Sequence, residues 1–178
     1  NAIELACELW NLFPENERPQ NTEGREGFYH LVSLEGNCEE AFMRFIIRDH
    51  DEELFKQRKA FVEMMVKAFE KRIGKDRINL EFAMGYRNMK PIIDEYPFLI
   101  ENLKKAIKQC GLEPQTAPFR GGTDGSSLSW RGLPCPNLSA CYENAHGRYE
   151  YVPIQSMVKN VEILLALVKL YGEQEDVA

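Results

Sequence analysis

The sequence predicts a mixed α/β fold: an incomplete ferredoxin-like βαββαβ sandwich followed by a second, looser half. Three observations predict it. Apolar patterns in residues 1–88 switch between helical and strand periods in the order helix, strand, strand, helix, strand. One more strand in front would complete the sandwich, so its first strand is the part expected to be missing. Residues 89–178 then hold two helical patterns separated by Gly- and Pro-rich chain, too little to close a layered core alone.

Residues 1–13 read as a helix because Ile3, Leu5, Ala6, Leu9 and Leu12 recur near helical spacing. The polar segment "PENERPQNTEG" connects it to "GFYHLVSLEG", whose aromatic and branched residues read as a strand. "EEAFMRFIIRDHD" reads as a second strand, pairing with the first as a hairpin that turns at "LEGNCE". Phe42, Arg44, Ile46 and Arg48 share one of its faces; Met43, Phe45 and Ile47 share the other. Asp51 is placed to cap the next helix, with Glu52 and Glu53 in its positively polarised first turn. That helix runs to about Arg72 on a stripe of Leu54, Phe61, Val62, Met65, Ala68 and Phe69, and Gly74 ends it. "RINLEFAMGY" is expected to be a third strand.

In the second half, residues 96–110 align Leu99, Leu103 and Ile107 on one helical stripe. "CPNLSACY" is expected to hold a short buried strand. Residues 154–171 form the last helix, with Ile154, Val158, Val161, Leu165 and Val168 expected to face inward. Domains are therefore expected at 1–88 and 89–178, both looking cut from larger units or dependent on a partner. The chain also begins with Asn, not Met, which fits a piece of a longer protein.

Composition narrows the function. The net charge of −6 with no basic block argues against nucleic acid or an anionic membrane as the partner. No apolar run approaches the roughly 18 residues needed to span a bilayer. The five cysteines are irregularly spaced and include no CxxC pair, which excludes a zinc ribbon and suits free thiols in a reducing cytosol. Cys135 and Cys141 read as buried small side chains before they read as nucleophiles.

The chemistry concentrates between 120 and 150. "RGGTDG" packs glycines around Thr123 and Asp124, where a backbone can turn tightly or meet a ligand closely. It is not a P-loop, having no GK[ST]. "GLPCPNL" stiffens the chain ahead of "NAHG", whose His146 is a candidate metal ligand or a structural loop histidine. A zinc site needs three or four protein ligands, and His30, His50 and Glu150 do not complete a set with His146 by spacing. "RDHD" invites a metal reading as well, but a helix start that favours carboxylates explains it better.

Taken together, "FRGGTDGSSLSWRGLPCPNL" and "NAHGRYEYV" resemble the C-terminal part of the peptidase T family, tripeptide aminopeptidases among the cocatalytic di-zinc exopeptidases. "ERPQNTEGREGFYHL", "FIIRDHD" and "YRNM" resemble that family's lid segments, in the same order. The resemblance covers essentially the whole chain. It implies a lid and dimerisation domain at 1–88 lacking its first strand, then the C-terminal portion of a zinc-exopeptidase α/β domain at 89–178. It implies zinc as the cofactor, two ions in a complete enzyme and none held by this chain alone. His146 falls on the family's last zinc ligand. Arg48 and Asn88 fall on lid positions that grip substrate, and Gly122, Thr123 and Asp124 on a loop lining the substrate side. No residue of this chain falls on the general base. The implied reaction is release of the N-terminal residue of a short peptide by metal-activated water. A cytoplasmic homo-dimer joined through the lid is the implied setting.

There are departures. Cys141, Tyr142 and Ala145 stand where the family has a Gly-Gly pair and an aromatic residue, and "RY" replaces its "KH" before Glu150. A different class of function stays open beside the enzyme: a non-catalytic dimerisation or peptide-binding module derived from such a peptidase.

Overall fold

In a computed structural model, residues 1–83 and 85–173 are described, and they form two compact units. The first comprises Asn1–Met84 with Pro118–Arg120; the second comprises Gly85–Ala117 and Gly121–Ala178. The architecture is mixed helix with a small antiparallel sheet, in keeping with an α/β fragment.

The first unit opens with helix α1, Ala2–Asn11, capped by the Asn1 side chain on the Ile3 amide. Strands β1, Phe28–Gly36, and β2, Ala41–Arg48, pair antiparallel from Phe28 opposite Arg48 to Gly36 opposite Ala41. The register slips between Leu31 and Ser33, making Val32 the extra residue of a bulge. The slip has a purpose visible in the sequence. Tyr29 and Leu31 lie opposite Ile47 and Phe45, and the extra residue lets Leu34 follow them opposite Met43. Without it, Ser33 would continue that face and Leu34 would point away.

Helix α2, Glu52–Ile73, starts where expected: the Asp51 carboxylate accepts from the amides of Glu53 and Leu54 at 2.9 Å each. Gly74 ends it at φ +112°, a backbone angle that side chains rarely adopt. Phe13, Tyr29, Val62, Met65 and Val66 form the core, with Leu9, Trp10, Phe45, Ile47 and Phe61 packed on it. Edge contacts of Phe13 with Tyr29 (5.2 Å) and Phe45 (5.1 Å) join the turn after α1 to the hairpin. The expected inner stripe of α2 is rotated in part. Val66 is buried, whereas Leu54 and Ala68 are exposed.

The third strand does not form in the described residues. The expected segment runs through Met84, which lies outside them, and the sheet has two strands. Ile78 and Leu80 still pack on the core. Their alternation is satisfied by burial, with no ladder of backbone bonds, and a strand needs both.

Beneath the sheet lies a buried ion cluster. Arg58 donates to Asp49 at 2.8 Å and to Glu17 at 2.6 Å, and its guanidinium sits 5.2 Å from the Tyr29 ring centre. Gly27 borders it so closely that a Cβ there would lie 2.0 Å from Asp49 Oδ2. Burial pushes the Tyr29 phenol above its ordinary value of 10, and the opposing pull of Arg58 does not cancel it. The folded chain therefore keeps a proton that the unfolded chain releases. The associated stability is whole below the unfolded value and is lost as the pH climbs through the folded one. Tyr29→Phe should flatten the alkaline fall in stability, read as urea midpoints between roughly pH 8 and pH 11.

The second unit contains α3, Lys90–Ile93; α4, Pro97–Gln109; α5, Asp124–Trp130; and α6, Ile154–Gly172. α4 packs on α6, and α3 on α5. On α4 the predicted stripe of Leu99, Leu103 and Ile107 is half-buried, and the buried centre falls beside it on Asn102 and Ala106. "CPNLSACY" forms no strand, and only a single bridge between Glu143 and Tyr151 follows it. Nor is it buried as a run: Asn137, Ser139, Ala140 and Tyr142 are exposed.

The inward face assigned to the last helix is also corrected. Ile154, Val158, Val161, Leu165 and Val168 are 55–74% exposed, whereas Ile163 on the other side is 4% exposed. The helix is apolar nearly all round, so periodicity alone does not select a face. All five cysteines are free thiols, and no described helix is long and apolar enough to cross a membrane.

Candidate functional site

The candidate residues fall into three places. Arg48 ends β2 in the first unit, opposite Phe28, and is half-buried. Its neighbour Asp49, 2% exposed on its side chain, bonds Arg58. The "RDHD" segment is accounted for locally: Asp49 holds the buried arginine and Asp51 caps α2.

Asn88 and the "GGTDG" loop come together in the second unit. Thr123 is the N-cap of α5: its hydroxyl accepts from the Ser126 amide at 3.3 Å and donates to Asn137 Oδ1 at 3.0 Å. Asp124 follows in the first helical turn, where the free amides favour a carboxylate. Gly122 lies flat against Tyr86, and a Cβ there would sit 1.7 Å from the ring. Gly125 makes a similar approach to the Cys135 carbonyl, at 2.7 Å from a would-be Cβ. The small residues of "TDGSS" are thus needed for close packing of α5 on the chain beside it.

Three bonds pin the 87–89 segment to α5. Ser126 Oγ donates to the Arg87 carbonyl, Trp130 Nε1 donates to the Asn88 carbonyl at 3.1 Å, and Ser129 lies beside Met89. The Arg87 guanidinium lies 3.5 Å from the Trp130 ring centre. The Asn88 side-chain oxygen accepts from the Lys90 amide at 3.0 Å at the start of α3. Sequence reasoning missed the pairing of Arg87 with Trp130, because α3 and α4 lie between them in the chain.

His146 stands on an exposed loop of its own. Glu143 and Tyr151 close the loop by reciprocal backbone bonds of 2.9 and 3.2 Å. Within it Asn144 and His146 adopt left-handed backbone angles, φ +55° and +62°, and Cys141 does so just before it. Left-handed histidine is uncommon and costs about 1–2 kcal/mol relative to ordinary backbone. Glu150 offsets part of this by accepting from the His146 amide at 3.2 Å, and Asn144 donates to the Tyr149 carbonyl at 3.2 Å. Among the described residues no three His, Cys, Asp or Glu side chains gather closely enough to hold a metal ion. Zinc requires such a set, so the residues present do not by themselves fit a zinc centre.

No family model matches the chain. Similar proteins do. Peptidase T of Caldanaerobacter subterraneus subsp. tengcongensis is 42% identical over 174 residues, 98% of this chain and 42% of that protein. Peptidase T of Geobacillus thermodenitrificans is 43% identical, covering 98% and 42%. That of Clostridium perfringens (strain ATCC 13124) is 44% identical, covering 98% and 43%. Among solved structures, aminopeptidase PepT from Bacillus cereus superposes with a TM-score of 0.59 at 18% identity, over 96% of this chain and 45% of that one. That likeness concerns the fold alone. The chain spans less than half the length of the relatives it matches. Over nearly its whole length, the chain is homologous to a stretch of peptidase T.

Proposed function

We propose that this chain is the lid-and-C-terminal stretch of a zinc-dependent cytoplasmic aminopeptidase that removes the N-terminal residue from tripeptides and other short peptides. The observation that carries this reading is 42–44% identity to peptidases T across 98% of the chain. In this reading residues 1–88 are the lid, which pairs two copies into a homo-dimer, and residues 89–178 belong to the catalytic domain. Arg48 grips the terminal carboxylate of the peptide, and Asn88, Gly122, Thr123 and Asp124 line the substrate side. His146 supplies one metal ligand, with the remaining ligands contributed from outside this chain. Neither nucleic acid nor a membrane is a partner. One other reading stands beside it, a peptide-binding or dimerising module without catalysis.

The test is peptide hydrolysis by a full-length peptidase that includes this stretch. A guanidinium–carboxylate pair contributes about 1.5–3 kcal/mol. Arg48→Ala should therefore lower kcat/KM for a tripeptide by roughly 10- to 150-fold. A tripeptide amidated at its C-terminus should lose far less. Equal losses on both substrates would remove Arg48 from the substrate site, and absence of tripeptide cleavage by the unaltered protein would remove the peptidase reading.

A further inference from the structure

A cavity of about 300 Å³ opens in the first unit beside the Arg58 ion cluster, at the small end of the range for ligand sites. Pro14, Tyr29, Leu54 and Phe61 give it apolar walls, and Glu17 and Arg58 give it a polar end. Leu54 belongs by spacing to the inward stripe of α2, yet it is 49% exposed along this cavity. Glu17 is only half satisfied. Its Oε2 accepts from Arg58 at 2.6 Å, whereas its Oε1 takes no bond among the described residues, and the side chain is 35% exposed. Arg58 has little left for an anion: Nε is bonded to Asp49, Nη1 to Glu17, and the guanidinium lies over the Tyr29 ring. Two carboxylates share this one cation, so the polar end carries a formal excess of negative charge.

We propose that this cavity binds a primary ammonium carried on an aliphatic group. The ammonium bonds Glu17 Oε1, and the aliphatic group packs on Leu54, Phe61 and Pro14. Charge complementarity selects the cation. An ammonium compensates the excess negative charge and brings donors to a carboxylate oxygen that has none. The walls select its chain, because an aliphatic group set against half-exposed Leu54 takes apolar surface of both out of water. A metal ion is not served, since one free carboxylate oxygen is no ligand set. A carboxylate would meet the excess negative charge with Arg58 already engaged. The N-terminal end of a peptide and a free amino acid both present the chemistry that fits. The site is built from the first unit alone and is independent of any role for Arg48 or His146.

The test titrates the isotope-labelled chain with leucinamide, N-acetyl-leucinamide, glycinamide and leucine, and reads the amide resonances of Leu54 and Phe61. Leucinamide should give saturable shifts centred on the cavity. N-acetyl-leucinamide, which lacks the charge, and glycinamide, which lacks the aliphatic group, should bind at least ~10-fold more weakly. Leucine names the source. Binding within about 10-fold of leucinamide assigns the site to free amino acids, and weaker binding assigns it to peptide N-termini. Glu17→Gln should erase the preference for leucinamide over its acetylated form. Glu17 also bonds Arg58, so the thermal melt is read beside that titration. Leu54→Ala changes a half-exposed side chain, so it should leave the melt in place while erasing the preference for leucinamide over glycinamide. If leucinamide and its acetylated form shift the same amides equally, or if neither saturates, the proposal is overturned. A folded Glu17→Gln chain with the parent's preference overturns it too, as does a Leu54→Ala chain that still prefers leucinamide over glycinamide. Hydrolysis is read in no arm, so failure here leaves the peptidase reading to its own test.

Discussion

Replacing Arg58 by methionine should destabilise the first unit by about 3–5 kcal/mol, because it leaves a buried charge without its partner. Asp49 is 2% exposed on its side chain and Arg58 15% exposed. The same guanidinium bonds Glu17, which lies in the connection after α1, and covers the Tyr29 ring. Burial works against the arginine's charge, yet the bonds to Asp49 and Glu17 outweigh it and raise its pKa further. The arginine therefore keeps its charge, and replacing it leaves the carboxylates of Asp49 and Glu17 without the cation they share. Urea unfolding followed by hydrogen exchange of α2 amides would read the loss. Lys56→Ala serves as the control: its pairs with Glu52 and Glu53 are exposed, so the change should stay small. The double variant Arg58→Met with Asp49→Leu should recover most of the lost stability, since matched apolar groups can replace a buried pair. A single variant as stable as the parent would show that Asp49 finds water or another partner.

The second large effect concerns His146 in a full-length peptidase. If its imidazole is a ligand, His146→Ala should remove one metal equivalent and lower turnover by more than ~100-fold. Alanine also disturbs the loop, because φ +62° suits few residues. Asparagine tolerates that angle, so His146→Asn keeps the turn while deleting the imidazole. The two variants should fail alike if the ring is the ligand. Should His146→Asn retain full metal content and activity, the residue is a loop former and the ligand assignment is wrong. Metal analysis beside tripeptide assays on the parent and both variants decides between them.

Local chemistry was legible wherever the interaction lies within a few residues of its cause. Asp51 caps α2 and Gly74 ends it as their positions demand, and the hairpin turns where the apolar alternation breaks. The helix at 97–109 also forms as its spacing draws it, although its buried centre is Asn102 and Ala106 beside the half-buried Leu99, Leu103 and Ile107. The candidate site was legible in part. The small residues of "GGTDGSS" announce close packing, and the structure shows the Tyr86 ring and Cys135 carbonyl that require it.

Tertiary structure decided what depends on chain far away in sequence. Residues 78–80 have a strand-like pattern, but a strand exists only with a neighbour, and here packing of Ile78 and Leu80 takes its place. Asp49, buried, and Glu17, half-buried, share one cation only because folding delivers Arg58 between them. α6 illustrates the division most fully. Its composition determined a helix, since Leu, Met, Ala, Lys and Gln favour one and no proline interrupts residues 154–172. Which side is covered followed from the position of α4, and so Ile154, Val158, Val161, Leu165 and Val168, expected inward, are left in contact with water.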